Sequence, residues 1–156
     1  MTMSPTIRCA VERDLPFLVR LWAIPEEGNK RDENPSEPID PCYAEALAAI
    51  HTDPNNALLV AEIEGRVVGA FQLTILQYVA YRGGRVALIE NVIVDPTARR
   101  RGVGESMMRW AIEEARRRGC FRVQLTSNKV RTRAHRFYER LGFVASHEGM
   151  KLALEP

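Results

Sequence analysis

The run Asp95-Pro96-Thr97-Ala98-Arg99-Arg100-Arg101-Gly102-Val103-Gly104 follows an apolar stretch, Val86 to Val94, and precedes a helical pattern. Read as strand, turn and helix start, it gathers backbone NH donors without intrahelical partners, at a helix end carrying about half a positive charge. Such an end holds an anion such as a pyrophosphate. Gly102, Val103, Gly104 and Glu105 bring their NH groups to its oxygens, and Arg99, Arg100 and Arg101 attract it from further away. Two other side chains have types suited to proton transfer. Glu90 lies among Leu88, Ile89, Val92 and Val94, where desolvation raises a carboxyl pKa toward that of a working base. Tyr138 falls on the apolar face of a later helix, where a buried hydroxyl needs a partner.

These groups depend on the elements that carry them. Thr6 to Val11 reads as a strand, and Asp14 caps a helix to Ala23 with Leu15, Leu18, Val19 and Trp22 on one face. Pro25, Pro35, Pro38 and Pro41 make residues 25–41 a loop, and a short helix runs from Cys42 to His51. Ala57 to Ile63 and Val67 to Val79 flank the turn Glu64-Gly65-Arg66 as antiparallel strands, and Arg82-Gly83-Gly84-Arg85 is a second turn. Val86 to Val94, apolar on both faces except at Glu90 and Asn91, reads as a strand covered on both sides. Gly102 to Arg118 is a helix with Val103, Met107, Ala111 and Ala115 inward, ended by Gly119. Phe121 to Ser127 is a strand and Thr132 to Leu141 a helix with Ala134, Phe137, Tyr138 and Leu141 on one face. Phe143 to Ser146 and Met150 to Leu154 close the chain as strands.

With 156 residues, 46% of them hydrophobic, the chain supports one domain and a real core without disulfides. Cys9, Cys42 and Cys120 are odd in number and far apart, which indicates neither a disulfide framework nor a metal site and fits a reducing, cytoplasmic setting. No apolar run approaches the ~20 residues that span a bilayer, so no membrane partner is expected. A net charge of +2 argues against a nucleic-acid partner, and Glu105, Glu113 and Glu114 interrupt the arginines of residues 99–118. Glu26, Glu27, Asp32, Glu33, Glu37 and Asp40 make the 25–41 loop region acidic, which favours a cationic small molecule.

The element order and two motifs resemble the GNAT superfamily of acyl-CoA-dependent N-acetyltransferases over essentially the whole chain. The superfamily's cofactor motif is matched by Arg99, Gly102 and Gly104 after the strand ending at Val94. A second element is matched by Phe137-Tyr138-Glu139-Arg140-Leu141-Gly142-Phe143. The asparagine that members often carry seven residues before the tyrosine is Arg131 here, and the nearest asparagine is Asn128. The resemblance implies an α/β (α+β) GNAT fold in a single domain, residues 1–156, with a mixed, mostly antiparallel sheet of about six to seven strands and about four flanking helices.

It also implies acetyl-CoA as co-substrate, with no metal. Its pantetheine would pair with Val92, Ile93 and Val94 as an added strand does, and its pyrophosphate would lie on residues 99–105. Asn128 is the candidate for the missing asparagine contact, and a backbone NH at Val92 the candidate for the oxyanion. The acceptor would be a primary amine that attacks directly, without a covalent enzyme intermediate, because Cys120 lies far from the motifs. An amine of pKa about 10.4 is neutral in only about one molecule in 2,500 at pH 7, a cost of roughly 4.6 kcal/mol, so Glu90 as base, directly or through water, has a use. Tyr138 would be the general acid at the leaving thiolate. His147 in the closing hairpin is a candidate lining residue, and His135 is expected outside the site. The resemblance implies a homodimer, which no sequence feature establishes. A non-catalytic acyl-CoA sensor and a protein N-acetyltransferase are the alternatives.

Overall fold

The structure, a computed structural model, describes residues 3–28 and 31–155. Five strands form one sheet in the order β1-β2-β3-β4-β5: β1 Thr6–Cys9, β2 Asn56–Ile63, β3 Arg66–Gln77, β4 Arg85–Val94 and β5 Cys120–Leu125. The first four are antiparallel neighbours, whereas β4 and β5 run parallel because a helix crosses between them. Glu64 and Gly65 take positive φ of 50° and 76° in the tight β2–β3 turn.

Helix α1 (Leu15–Trp22) and helix α2 (Pro41–Thr52) cover one face of the sheet, where Leu15, Leu18, Leu21 and Leu47 meet Leu58, Val60, Ala70 and Ile93. A single turn, α3 (Ala80–Gly83), links β3 to β4 with Tyr81 and Arg82 in left-handed conformations. Helix α4 (Val103–Arg117) covers the other face, burying Val103, Met107, Met108, Ala111 and Ala115 against Phe71, Leu73 and Ile89. Its outer face carries Glu105–Arg109, Glu113–Arg116 and Glu114–Arg117 pairs, as the sign alternation of the sequence requires. Helix α5 (Thr132–Arg140) adds Phe137, Tyr138 and Leu141 to the same cluster.

Three expectations change. The sheet has five strands, not six to seven: neither Phe143 to Ser146 nor Met150 to Leu154 pairs with any described strand. Their period-two pattern is genuine strand pattern, but a strand forms only against a partner, and Val144, Met150, Leu152 and Leu154 stand in solvent. Among the described residues the helices number five, the extra one being the single turn α3. Asp14 does not cap α1 with its side chain. It is buried, accepting from the Val11 NH at 2.9 Å and from the Arg8 guanidinium at 2.7 and 3.1 Å, while Arg8 also reaches Glu62 at 2.7 Å. Burial works against the Asp14 carboxylate, but the Arg8 and Val11 donors and the nearby positive charges outweigh it and hold its carboxyl below the usual range.

Candidate active site

The site is built around a place where the sheet opens. Pairing of β4 with β5 ends at Ile89↔Leu125, yet β4 continues for five residues to Val94. A bulge marks the point: Ala70 faces Ile93 and Gln72 faces Glu90, so Asn91 and Val92 together oppose Phe71. Asn91 takes φ 52°, a left-handed value that asparagine tolerates better than the β-branched residues around it. Past this extra residue β4 makes no further pairing with β5 among the described residues. Asp95 donates its NH to Val68 on β3, so alternation along the strand turns the NH groups of Val94 and Val92 toward the side that β5 has left.

The open strand leads to the start of α4. Asp95 holds the turn by accepting from the Thr97 NH and hydroxyl, both at 2.9 Å. Arg100 and Gly102 then take φ of 62° and 77°, so left-handed residues alternate just before the helix and turn successive NH groups into one concavity. The first bond within α4 is Ser106 NH to Gly102 carbonyl, which leaves the NH groups of Val103, Gly104 and Glu105 free at its positive end. No atom within 4 Å would meet a Cβ at Gly102, so glycine is needed there for its backbone angle. At Gly104 a Cβ would sit 3.4 Å from Phe137, so this glycine also admits α5. Arg100 and Arg101 are exposed and make no ion pair among the described residues. The donors and cations fit a pyrophosphate, and the unpaired strand fits an amide-bearing chain.

Tyr138 lies on the inner side of α5 between Phe137 and Phe143, with ring centroids 5.1 and 5.8 Å away. Burial raises its pKa above the ordinary tyrosine value, against a smaller opposing effect of Arg131, and its hydroxyl has no hydrogen-bond partner among the described residues. It is therefore a protonated, uncommitted donor beside α4. Glu90 differs from expectation: it is exposed, because the strand outruns its cover where β5 departs. Its apolar neighbours in sequence do not cover it.

Beside the bulge, α1, α2 and the loop between them enclose a cavity of about 210 Å³ with Trp22, Arg31, Glu33, Tyr43, Gln72 and Asn91 in its lining. The Trp22 Nε1 is buried without a partner among the described residues. Tyr43 donates to Glu33 at 2.7 Å. Burial lowers the pKa of the Arg31 guanidinium, Glu26 and Glu33 oppose this and Arg131 adds to it, and the group remains a cation. The acidic loop is largely committed: Glu26 pairs with Arg99 at 2.9 Å and Arg131 at 3.5 Å, Glu37 with Arg20 at 3.4 Å, and Asp40 accepts from the Cys42 NH.

Residues 19–143 match the acetyltransferase (GNAT) family. The chain belongs to that family. A solved structure from Bacillus halodurans C-125, described as a transcriptional regulator, is 43% identical, with a TM-score of 0.91 over 96% of this chain and 99% of that one. Among curated proteins, the chain is 34% identical over 105 residues to aminoalkylphosphonate N-acetyltransferase of Salmonella typhimurium, covering 67% of this chain and 68% of that protein. It is 38% identical over 110 residues to glucosamine 6-phosphate N-acetyltransferase 1 of Oryza sativa subsp. japonica, covering 69% and 64% respectively. The chain thus spans about two thirds of the length of these curated relatives.

Within this GNAT domain the structure brings together Val92, Ile93, Val94, Arg100, Arg101, Gly102, Val103, Gly104, Glu105 and, across Gly104, the Phe137-Tyr138 pair. Arg99 instead turns back, donating to the Val94 carbonyl at 3.3 Å and pairing with Glu26. Asn128 accepts from the Val130 NH at 3.1 Å, and its carbonyl meets the His135 ring at 2.9 Å, so it shapes the loop before α5. His147 is exposed and bonds Ser146 at 2.7 Å. Cys120 carries a thiol pushed up by burial, unlike an activated nucleophile. The site residue Asn91, the left-handed backbone of Arg100 and the cavity residues Trp22, Arg31 and Gln72 escaped the sequence reading as parts of a site. Only Asn91 left a signal, as a polar residue beside Glu90 in an apolar strand.

Proposed function

We propose that the protein transfers the acetyl group of acetyl-CoA to the primary amine of a small molecule, by direct attack in a ternary complex. The observation that carries this reading is the unpaired end of β4 leading into the free NH groups of α4, with the Tyr138 hydroxyl alongside. The co-substrate supplies the activated acetyl group. The NH groups of residues 103–105 and the side chains of Arg100 and Arg101 hold its phosphates, and the free backbone of Val92 and Val94 orients the chain behind them. The Val92 NH, aimed into the opening, is the donor for the developing oxyanion. Tyr138 holds the proton that the leaving sulfur needs, and Glu90, exposed at the mouth, takes the amine's proton directly or through water.

The acceptor in this reading carries an anionic group as well as its amine. Arg31 brings a partly buried positive charge to the lining of the cavity beside Asn91, and this cation supports an acceptor with an anionic group. The two curated relatives above act on an aminoalkylphosphonate and on glucosamine 6-phosphate, both of which pair an amine with a phosphorus oxyanion. Thiol release from acetyl-CoA tests this with matched acceptors: aminoalkylphosphonate against alkylamine, and amino sugar phosphate against amino sugar. The anionic member of each pair is expected to react with a kcat/KM at least about tenfold higher, the effect of one charge-assisted hydrogen bond. Faster turnover of polyamines would overturn the acceptor assignment. A non-catalytic sensor has one observation in its favour, the description of the Bacillus halodurans structure as a transcriptional regulator. Tight acetyl-CoA binding with no turnover of any amine would select it.

A further inference from the structure

A second cavity, of about 390 Å³, lies at the β1 edge of the sheet, between β1, the start of α1 and the β2–β3 turn. Its lining shares no residue with that of the cavity beside the bulge. Pockets for small ligands begin at about 300 Å³, so this one has room for a molecule of amino-acid size. The turn does not close it, since a Cβ on Gly65 would meet nothing within 4 Å.

The charges in this lining are unevenly engaged. Arg8 is fully committed: it donates to both oxygens of Asp14, at 2.7 and 3.1 Å, and twice to Glu62 Oε2, at 2.9 and 2.7 Å. Asp14 is buried and also accepts from the Val11 NH, so it has nothing left to offer a ligand. Glu62 differs, because its Oε1 accepts no hydrogen bond among the described residues. Arg13 and Arg66 are exposed and make no ion pair or hydrogen bond among the described residues. Phe17 and Val67, both half-buried, supply an apolar wall. One lining therefore holds two uncommitted guanidinia, one uncommitted carboxylate oxygen and an apolar surface. An inorganic anion would use the first alone, and an alkylamine only the second and third.

We propose that this cavity is a second binding site, separate from the acetyl-transfer site, that takes an apolar α-amino acid in its zwitterionic form. The ligand's carboxylate lies between Arg13 and Arg66, its ammonium meets Glu62 Oε1, and its side chain rests on Phe17 and Val67. The Arg8 fork already holds Glu62 in place through its other oxygen, so little ordering is left to binding. Each ligand charge then has an opposite charge in the protein, and no other simple metabolite class combines these three demands in so small a volume.

Calorimetric titration of the full chain without acetyl-CoA tests this, so the outcome does not depend on whether the chain acetylates anything. The probes are L-leucine, L-phenylalanine, 4-methylpentanoate, 3-methylbutylamine and inorganic phosphate. At least one of the two amino acids is expected to bind at a single site and to raise the melting temperature. The acid, the amine and phosphate, each lacking part of the pattern, are expected to bind at least about tenfold more weakly. Replacing Arg13 and Arg66 together by Met, or Glu62→Gln, which keeps an acceptor for Arg8, is expected to weaken the amino acid at least about tenfold with the circular dichroism unchanged. Arg31→Met, in the other cavity, is expected to leave that affinity as it was. No amino-acid binding at millimolar concentration overturns the proposal. So does phosphate binding as tightly as the amino acid, affinity that survives the paired arginine replacement, or affinity lost in Arg31→Met, which would put the ligand in the cavity beside the bulge.

Discussion

In the proposed reaction, Tyr138 and Glu90 act from surroundings that differ sharply. Burial keeps the Tyr138 hydroxyl protonated beyond the ordinary tyrosine pKa, so it stays an acid across the physiological range. Tyr138→Phe keeps the ring packing with Phe137 and Phe143 and removes only the proton. Its kcat is expected to fall about a hundredfold with little change in the KM for acetyl-CoA, since general acid catalysis contributes about that much. Steady-state rates beside a melting curve check this, and unchanged kcat would remove Tyr138 from the chemistry. Glu90 is exposed at the bulge, so Glu90→Gln is expected to lower kcat/KM for the amine by about tenfold and leave coenzyme affinity alone. Equal losses in both constants would mean that Glu90 positions the coenzyme instead. The type of these two residues was legible in the sequence. The exposure of Glu90 was not, because it follows from where β5 leaves β4, and no neighbour in sequence reports that.

At the scale of elements, glycines and one buried ion cluster set the geometry. Gly102 sits at φ 77° with open space where a Cβ would go, whereas Gly104 has ordinary helical freedom and Phe137 as its neighbour. Gly102→Ala is therefore expected to cost about 1–2 kcal/mol of stability and to raise the KM for acetyl-CoA, while Gly104→Ala stays within about 1 kcal/mol of the parent. Denaturant titration and coenzyme saturation curves separate the two. The cluster of Arg8, Asp14 and Glu62 ties β1 to the turn before α1 and to β2. Asp14 has a folded pKa below its unfolded value of about 3.9, so its contribution is complete above that value and disappears as pH falls through the lower, folded one. Asp14→Asn is expected to lose about 2 kcal/mol at pH 7 and to show a flatter stability curve in acid, measurable by urea unfolding between pH 7 and pH 3. The sequence marked Asp14 as a helix cap because Asp before an apolar helical run is the usual sign. It did not show that Arg8, six residues earlier on a strand, claims the same carboxylate. The long helices and the first four strands were legible from their periods of 3.6 and 2. The last two strands were legible as pattern but not as structure, since a pattern does not contain its partner.

Over the whole molecule, the loop between α1 and α2 spans the mouth of the opening between β4 and β5. Glu26 gives one carboxylate oxygen to Arg99, just past β4, and the other to Arg131, at the start of α5 beyond β5. Gly28 lies against Asn128 and Val130, where a Cβ would come within 2.6 Å of Val130, so no larger residue fits without moving that loop. The acceptor side and the coenzyme side are thus joined by one carboxylate that also neutralises an arginine of the cofactor motif. Under the proposed function, coenzyme phosphates reaching Arg99 would compete with Glu26 for it, because one guanidinium at 46% exposure serves either anion. Glu26→Gln removes the competitor and the tie together. Coenzyme affinity is then expected to rise a few-fold at low salt and to converge with the parent as salt increases, while kcat/KM for the amine falls because the cavity wall carrying Arg31 is no longer anchored. Calorimetric titration with coenzyme A at several ionic strengths, set beside amine saturation curves, reads both quantities. Movement of the two constants in the same direction would show that Glu26 merely supports the fold, since only a group shared between the sites changes them in opposite senses.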